Sequence, residues 1–208
     1  MTPRFNEALA GAAILHARQR RKGTDTPVIA HLLGVTAIAL EFGASEDEAI
    51  AALLHDAIED APLELGPDWV RRWIRHHFGE AVLTIVEGCT DTDEHPKPAW
   101  RARKQRYVER LAGEPDGTIL VSASDKLHNV RAILADFRTS GDAVFARFSR
   151  DAGQAGTIGY YRGLVTAYDQ RLRTLDSPRV GRLRTLVREL EFVVSTLENE
   201  AGITGRWP

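Results

Sequence analysis

The sequence predicts an all-α protein, a bundle of about eight to ten helices. Three observations carry that prediction. Apolar residues recur mostly at intervals of three and four, not two. Helix-starting and helix-stopping residues fall at the ends of those periodic segments. No set of short alternating runs offers the strands of a sheet. The chain has 208 residues, enough to bury a core without disulfides or metal staples. It reads as a single domain, with a motif-bearing core over about residues 5–170 and helices over about 157–200 completing the bundle.

Taken in order, the periodicity predicts a first helix from Phe5 to about Lys22 and a loop from Gly23 to Thr26. Pro27 suits the first turn of a second helix, which stops at Gly43. Ser45 and Glu48 form a capping box for a third helix through about Ala61, ended before Pro62. Pro67 opens a fourth helix that stops at Gly79, and Glu80 to about Glu87 is a short fifth. Cys89 to Pro98 carries two prolines, several acids and a histidine, and reads as a loop. Helices follow over Ala99 to Ala112, Thr118 to Arg138, Ile158 to Thr174 and, after Pro178, Arg179 to Glu200. Gly141 to Gly156 is irregular, with room for one short helix.

Composition excludes several classes. No apolar run approaches the ~20 residues of a membrane helix. The segment from Met1 to Glu7 is polar, and no apolar stretch with a cleavage site follows it. Cys89 is the only cysteine, which rules out an intrachain disulfide and a thiolate zinc cluster. Together these features predict a cytoplasmic protein without a membrane partner. Lys and Arg number 27 against 29 Asp and Glu, so the global charge does not advertise nucleic acid.

The third helix is the informative one. From Ile50 it reads IAALLHDAIED. At 100° per residue, with His55 at 0°, Glu59 falls at 40°, Asp56 at 100° and Asp60 at 140°. Ile50, Ala51, Leu54, Ala57 and Ile58 fall on the opposite side. One face can be core while the other presents an imidazole and three carboxylates. A solvated acidic face is the bland explanation. Against it, no Lys or Arg offsets those acids between Ile50 and Asp60. A divalent cation would resolve the repulsion, and His with Asp is a suitable donor pair. His31 in the second helix and Asp125 in SASDKLHN extend the order to H, HD, D.

That order resembles the HD phosphohydrolase superfamily. The flanks narrow the resemblance: HARQRRKG at 16–23, Pro27 and His31, ALLHDAIED, FG at 78–79, TD at 90–91 and SDKLHN at 124–129. They look like the hydrolase domain of RelA/SpoT homologues, and most like the small alarmone hydrolases. The resemblance implies an HD-domain helical bundle with His31, His55, Asp56 and Asp125 as ligands of a divalent metal, usually manganese. It implies hydrolysis of the 3′-pyrophosphate of ppGpp and pppGpp, giving GDP or GTP and pyrophosphate. It assigns Glu59 and Asp60 to the attacking water. It assigns Arg21, Lys22 and Asn129 to the nucleotide; Lys104, in the basic run RARKQR, is a further candidate for its phosphates.

The chain departs from the family pattern in places. Val28 and Leu32 stand where a tyrosine and a second proline are usual, and Ser124 replaces the alanine before the last Asp. Tyr160 and Tyr161, in GYYR, read as core tyrosines. An alternative reading keeps the metal site and changes the substrate to another nucleotide or phosphoester. A third makes the chain a non-catalytic nucleotide sensor, against which Glu59 and Asp60 argue. A fourth, nucleic-acid binding through RRWIRHH at 71–77, is disfavoured because Trp69, Trp73 and His77 recur every four residues, as a packing stripe does.

Overall fold

The computed structural model describes residues 1–94, 96–148 and 151–207; His95, in the predicted loop, lies outside them. Among the described residues there are nine α-helices, two 3-10 segments and no strand. The helices are α1 (Pro3–Leu15), α2 (Val28–Glu41), α3 (Glu46–Leu54), α4 (Gly66–Phe78), α5 (Glu80–Cys89), α6 (Trp100–Arg110), α7 (Asp116–Ser140), α8 (Gly153–Thr174) and α9 (Val180–Ala201). The all-α class is as the periodicity predicts. The chain divides into two compact units, residues 1–96 with 117–125, and residues 97–116 with 126–208.

In the first unit α3 is the central element, packed against α1, α2 and α5. Its start is fixed as the sequence predicts. The Ser45 hydroxyl accepts from the Glu48 N–H at 3.3 Å, and the Glu48 carboxylate accepts from the Ser45 N–H at 2.8 Å. Every residue from Ala49 to Leu54 is buried. Leu53 and Leu54 alone contribute about 1.5–3 kcal/mol each through that burial. In α4, Val70, Ile74 and Phe78 form the buried stripe. Trp69 and Trp73 stack on each other at 6.3 Å beside it, and an added Cβ on Gly11 would meet the Trp73 ring at 2.6 Å. Trp73 thus packs against α1, as a stripe residue would, while Trp69 stacks on it and stays 37% exposed.

Two helices end earlier than the periodicity predicts. α1 stops at Leu15, not near Lys22. Beyond it the backbone pairs with the segment before α2: the Arg21 N–H donates to the Thr26 carbonyl at 2.8 Å and the Val28 N–H to that of Gln19 at 3.2 Å. Gly23, with φ of 73°, makes the reversal possible. α3 stops at Leu54 and His55 is its C-cap. The Ala57 N–H bonds to the Leu54 carbonyl three residues back at 2.9 Å, so the chain tightens into turns over residues 55–60. The wheel drawn from His55 to Asp60 does not describe this segment.

In the second unit α8 packs against α6, α9 and both 3-10 segments. Tyr107, Tyr168, Leu164 and Leu190 are buried there, and so are Tyr160 and Tyr161. Gly163 lets the Trp207 side chain lie where a Cβ would be only 2.5 Å away. No described helix is long and apolar enough to cross a membrane.

Candidate metal centre

Three elements of the first unit bring four side chains together. α2 carries His31, the end of α3 carries His55 and Asp56, and the first part of α7 carries Asp125. His31 Nε2 lies 3.1 Å from Asp125 Oδ1 and 3.7 Å from Asp56 Oδ2. His55 Nε2 lies 3.3 Å from Asp56 Oδ1 and 3.6 Å from Asp125 Oδ1. The imidazole rings meet edge to face, 5.1 Å apart. His31, His55 and Asp125 are buried, and Asp56 is partly open.

The orientation of His55 is fixed from behind. Its Nδ1 donates to the Ala52 carbonyl at 2.9 Å, so Nε2 is the nitrogen left to face the carboxylates. Among the described residues that Nε2 is buried without a partner at hydrogen-bond geometry. The bond also comes from the last turn of α3, so the same contact aims the ring and marks the helix end.

The electrostatics separate the two histidines. Burial pushes His31 below the ordinary imidazole value, and its bond to Asp125 does not offset this. Burial also opposes charge on His55, but Asp56 and Asp125 together outweigh it and raise its pKa to about 9. Burial pushes Asp56 upward, yet His55 and His31 outweigh it and hold the carboxyl below its usual range. Without a cation, one imidazolium sits between two carboxylates.

The donor set fits a divalent cation. Nitrogen and oxygen atoms from His31, His55 and Asp56 lie within 4.8 Å of one another. In an octahedral site with bonds near 2.1 Å, adjacent ligands stand about 3.0 Å apart. The spacings here, 3.1 to 3.7 Å, lie slightly wider. Two imidazoles and two carboxylates suit such a cation, and leave positions for water and a phosphoryl oxygen.

The other residues singled out in the sequence are placed as follows. Glu59 and Asp60 are both partly exposed in the turn after Asp56. The Asp91 N–H donates to Glu59 Oε2 at 3.3 Å, and the Asp60 N–H donates to the Asp56 carbonyl at 2.9 Å. Arg21 is partly exposed and Lys22 exposed, both in the paired segment after α1 and not on a helical turn. Lys104 and Asn129 belong to the second unit. The Lys104 ammonium stands 5.0 Å over the Tyr160 ring, and Asn129 follows Asp125 by one turn of α7.

The departures from the family pattern are absorbed locally. Leu32 is fully buried in α2. The Ser124 hydroxyl donates to the Leu120 carbonyl at 2.8 Å, so a buried hydroxyl is satisfied inside its own helix. His16 and Gln19 stand in HARQRRKG and Asp91 in TD, motifs that carry the family resemblance without a role for these three residues, and Arg71 stands in RRWIRHH.

A family model described as an HD domain matches residues 8–156. A guanosine-3′,5′-bis(diphosphate) 3′-pyrophosphohydrolase, MESH1, of Xenopus tropicalis is 39% identical over 128 residues, 60% of this chain and 66% of the relative. A guanosine-3′,5′-bis(diphosphate) 3′-pyrophosphohydrolase of Aquifex aeolicus (strain VF5) is 35% identical over 118 residues, 57% of this chain but only 16% of that protein. A solved structure of a metazoan ortholog of SpoT, described as hydrolysing ppGpp and playing a role in starvation responses, superposes with a TM-score of 0.69. It is 22% identical and covers 98% of both chains, a likeness of fold.

Proposed function

Because the chain belongs to the HD-domain family, we propose that it is a metal-dependent hydrolase that removes the 3′-pyrophosphate of ppGpp and pppGpp. The products are GDP or GTP and pyrophosphate. The observation that carries this reading is the convergence of His31, His55, Asp56 and Asp125 within 3.1 to 3.7 Å, together with the names of the relatives that the chain is similar to.

His31, His55, Asp56 and Asp125 would hold the cation, manganese by resemblance to the family. Bound there, it supplies a Lewis acid for a phosphoryl oxygen and lowers the pKa of a bound water. The chain's own groups do the rest. Ala52 fixes His55 through Nδ1, so the ring cannot rotate away. Glu59, steadied by the Asp91 N–H, accepts the proton of the attacking water. Asp60 positions that water. Arg21 and Lys22 offer cations to a polyphosphate. Asn129 is assigned to the nucleotide by resemblance, and Lys104, a cation of the run RARKQR, to its phosphates.

The test is positional. ppGpp, pppGpp and GDP are incubated with the protein and manganese, and the products are resolved. Release of pyrophosphate from both alarmones, with GDP untouched, is the expected result. Cleavage first at the 5′ end would refute the reading. Turnover of another nucleotide or phosphoester in place of the alarmones would favour a different substrate for the same site.

A further inference from the structure

His16 is 97% buried, at the C-cap of α1. Its Nδ1 lies 2.5 Å from Gln19 Oε1. The amide nitrogen of Gln19 donates to the Asp60 carbonyl at 3.2 Å, and the Val28 N–H donates to the Gln19 carbonyl at 3.2 Å. With its NH2 committed to Asp60, Gln19 presents only oxygen to the imidazole. Nδ1 of His16 therefore carries the proton and donates it. Gln19 thus joins three parts of the first unit: the end of α1, the start of the helix bearing His31, and the turn bearing Glu59 and Asp60.

We propose that His16 and Gln19 form a relay that sets the Asp60 turn, with His16 a positioning residue for the reaction. The turn needs such support because it lies past the end of α3. Its own backbone bonds hold its start and middle, Ala57 N–H to the Leu54 carbonyl and Asp60 N–H to the Asp56 carbonyl at 2.9 Å, but its exit is held loosely, the Ala61 N–H reaching the Ile58 carbonyl at 3.4 Å. The Asp60 carbonyl is a fixed point just after Glu59, and Gln19 bonds it from outside the turn. A free glutamine would sample several rotamers, and the buried imidazole removes that freedom. His16 Nε2 is also buried with no hydrogen-bond partner, a ring nitrogen that the fold itself does not serve. This inference rests on the hydrolase reading for its kinetic part and on geometry alone for the relay.

The experiment compares the full-length protein with His16→Leu, His16→Asn and Gln19→Leu. Asparagine keeps an N–H donor near the Nδ1 position, and leucine removes it. For His16→Leu, kcat should fall by about 10- to 100-fold, the scale of a displaced catalytic group. KM should change less than about twofold and metal content should hold, because no group proposed to bind metal or substrate is altered. His16→Asn should recover most of the rate. Gln19→Leu should reproduce His16→Leu, and the double variant should be no worse than either single one. Nitrogen-15 NMR of the wild-type should show the Nδ1–H form of His16, lost in Gln19→Leu. An Nε2–H tautomer, additive losses, unchanged kcat, or metal lost in step with rate would overturn the relay. If His16→Leu does not fold, His16→Asn, Gln19→Leu and the tautomer decide. A wild-type protein that cleaves no alarmone would refute the function while leaving the tautomer to judge the relay.

Discussion

Two acid-rich clusters of the first unit behave in opposite ways. Around Arg71, three carboxylates are served by one guanidinium: Asp68 at 3.2 Å, Glu87 at 3.1 Å and Asp93 at 2.6 Å. That cluster is partly exposed: one permanent cation of the chain bonds all three acids, and solvent screens the charge that remains. Around His55, two carboxylates converge in a largely buried place, and their contacts are imidazoles that can lose their charge. The first is a structural ion-pair network. The second is a charge arrangement that a divalent cation completes. What separates them is not the number of acids but whether the fold itself supplies a permanent cation.

The comparison breaks most severely at the ligands. His55→Ala or Asp56→Ala should lower turnover by more than about 100-fold, since even outer-shell partners of a metal site cost 10- to 100-fold. Metal per chain, measured by mass spectrometry, should fall with it. Full metal content and normal rate in either variant would place the cation elsewhere.

Glu59→Gln and Asp60→Asn are nearly isosteric and lie outside the four-residue set. Turnover should fall by roughly 10²-fold, the scale of a lost general base. Metal content and the melting temperature should hold. Loss of metal in Glu59→Gln would make it a ligand.

A smaller effect is thermodynamic. His55 has a folded pKa raised to about 9, so at pH 7 it is protonated in the metal-free fold. A metal must displace that proton. Calorimetry in buffers of different ionisation enthalpy should find about one proton released per cation. Apparent affinity should fall roughly tenfold per pH unit below 9. The linkage to stability follows the sign of the shift. The contribution of charged His55 to the metal-free fold is fully present below the ordinary imidazole value and is lost as pH rises through about 9. Binding without proton release would contradict the assignment.

The smallest effect is at the other cluster. Arg71→Ala should cost about 1 kcal/mol or less, as partly exposed ion pairs do. Its metal content should match wild-type. Turnover should fall only a few-fold, through the Asp93 end of the loop that brings the Asp91 N–H to Glu59. A loss as large as that of His55→Ala would erase the distinction between the clusters.

Much of this was legible in the sequence, for local reasons. Ser45 and Glu48 announced the start of α3, and the H, HD, D order named side chains that the fold gathers although they lie far apart along the chain. The helix ends were not legible. The run after Leu54 keeps helical periodicity in Ala57 and Ile58, yet the chain turns there, and His55 bonds the Ala52 carbonyl. The run after Leu15 ends a helix because backbone groups at Gln19 and Arg21 pair with Val28 and Thr26. Periodicity reports which residues are buried, not which carbonyl an N–H chooses. HARQRRKG displays His16 and Gln19, but their contacts were hidden for the same reason: they run across 41 residues and less, to Asp60 and to each other.

The most direct test of the account is incubation of the purified protein with manganese and ppGpp, with the products separated by ion exchange, beside the same protein stripped of metal. The account predicts GDP and pyrophosphate in equal amounts with manganese and none without it. Orthophosphate as the released group, or equal turnover by the stripped protein, would contradict it.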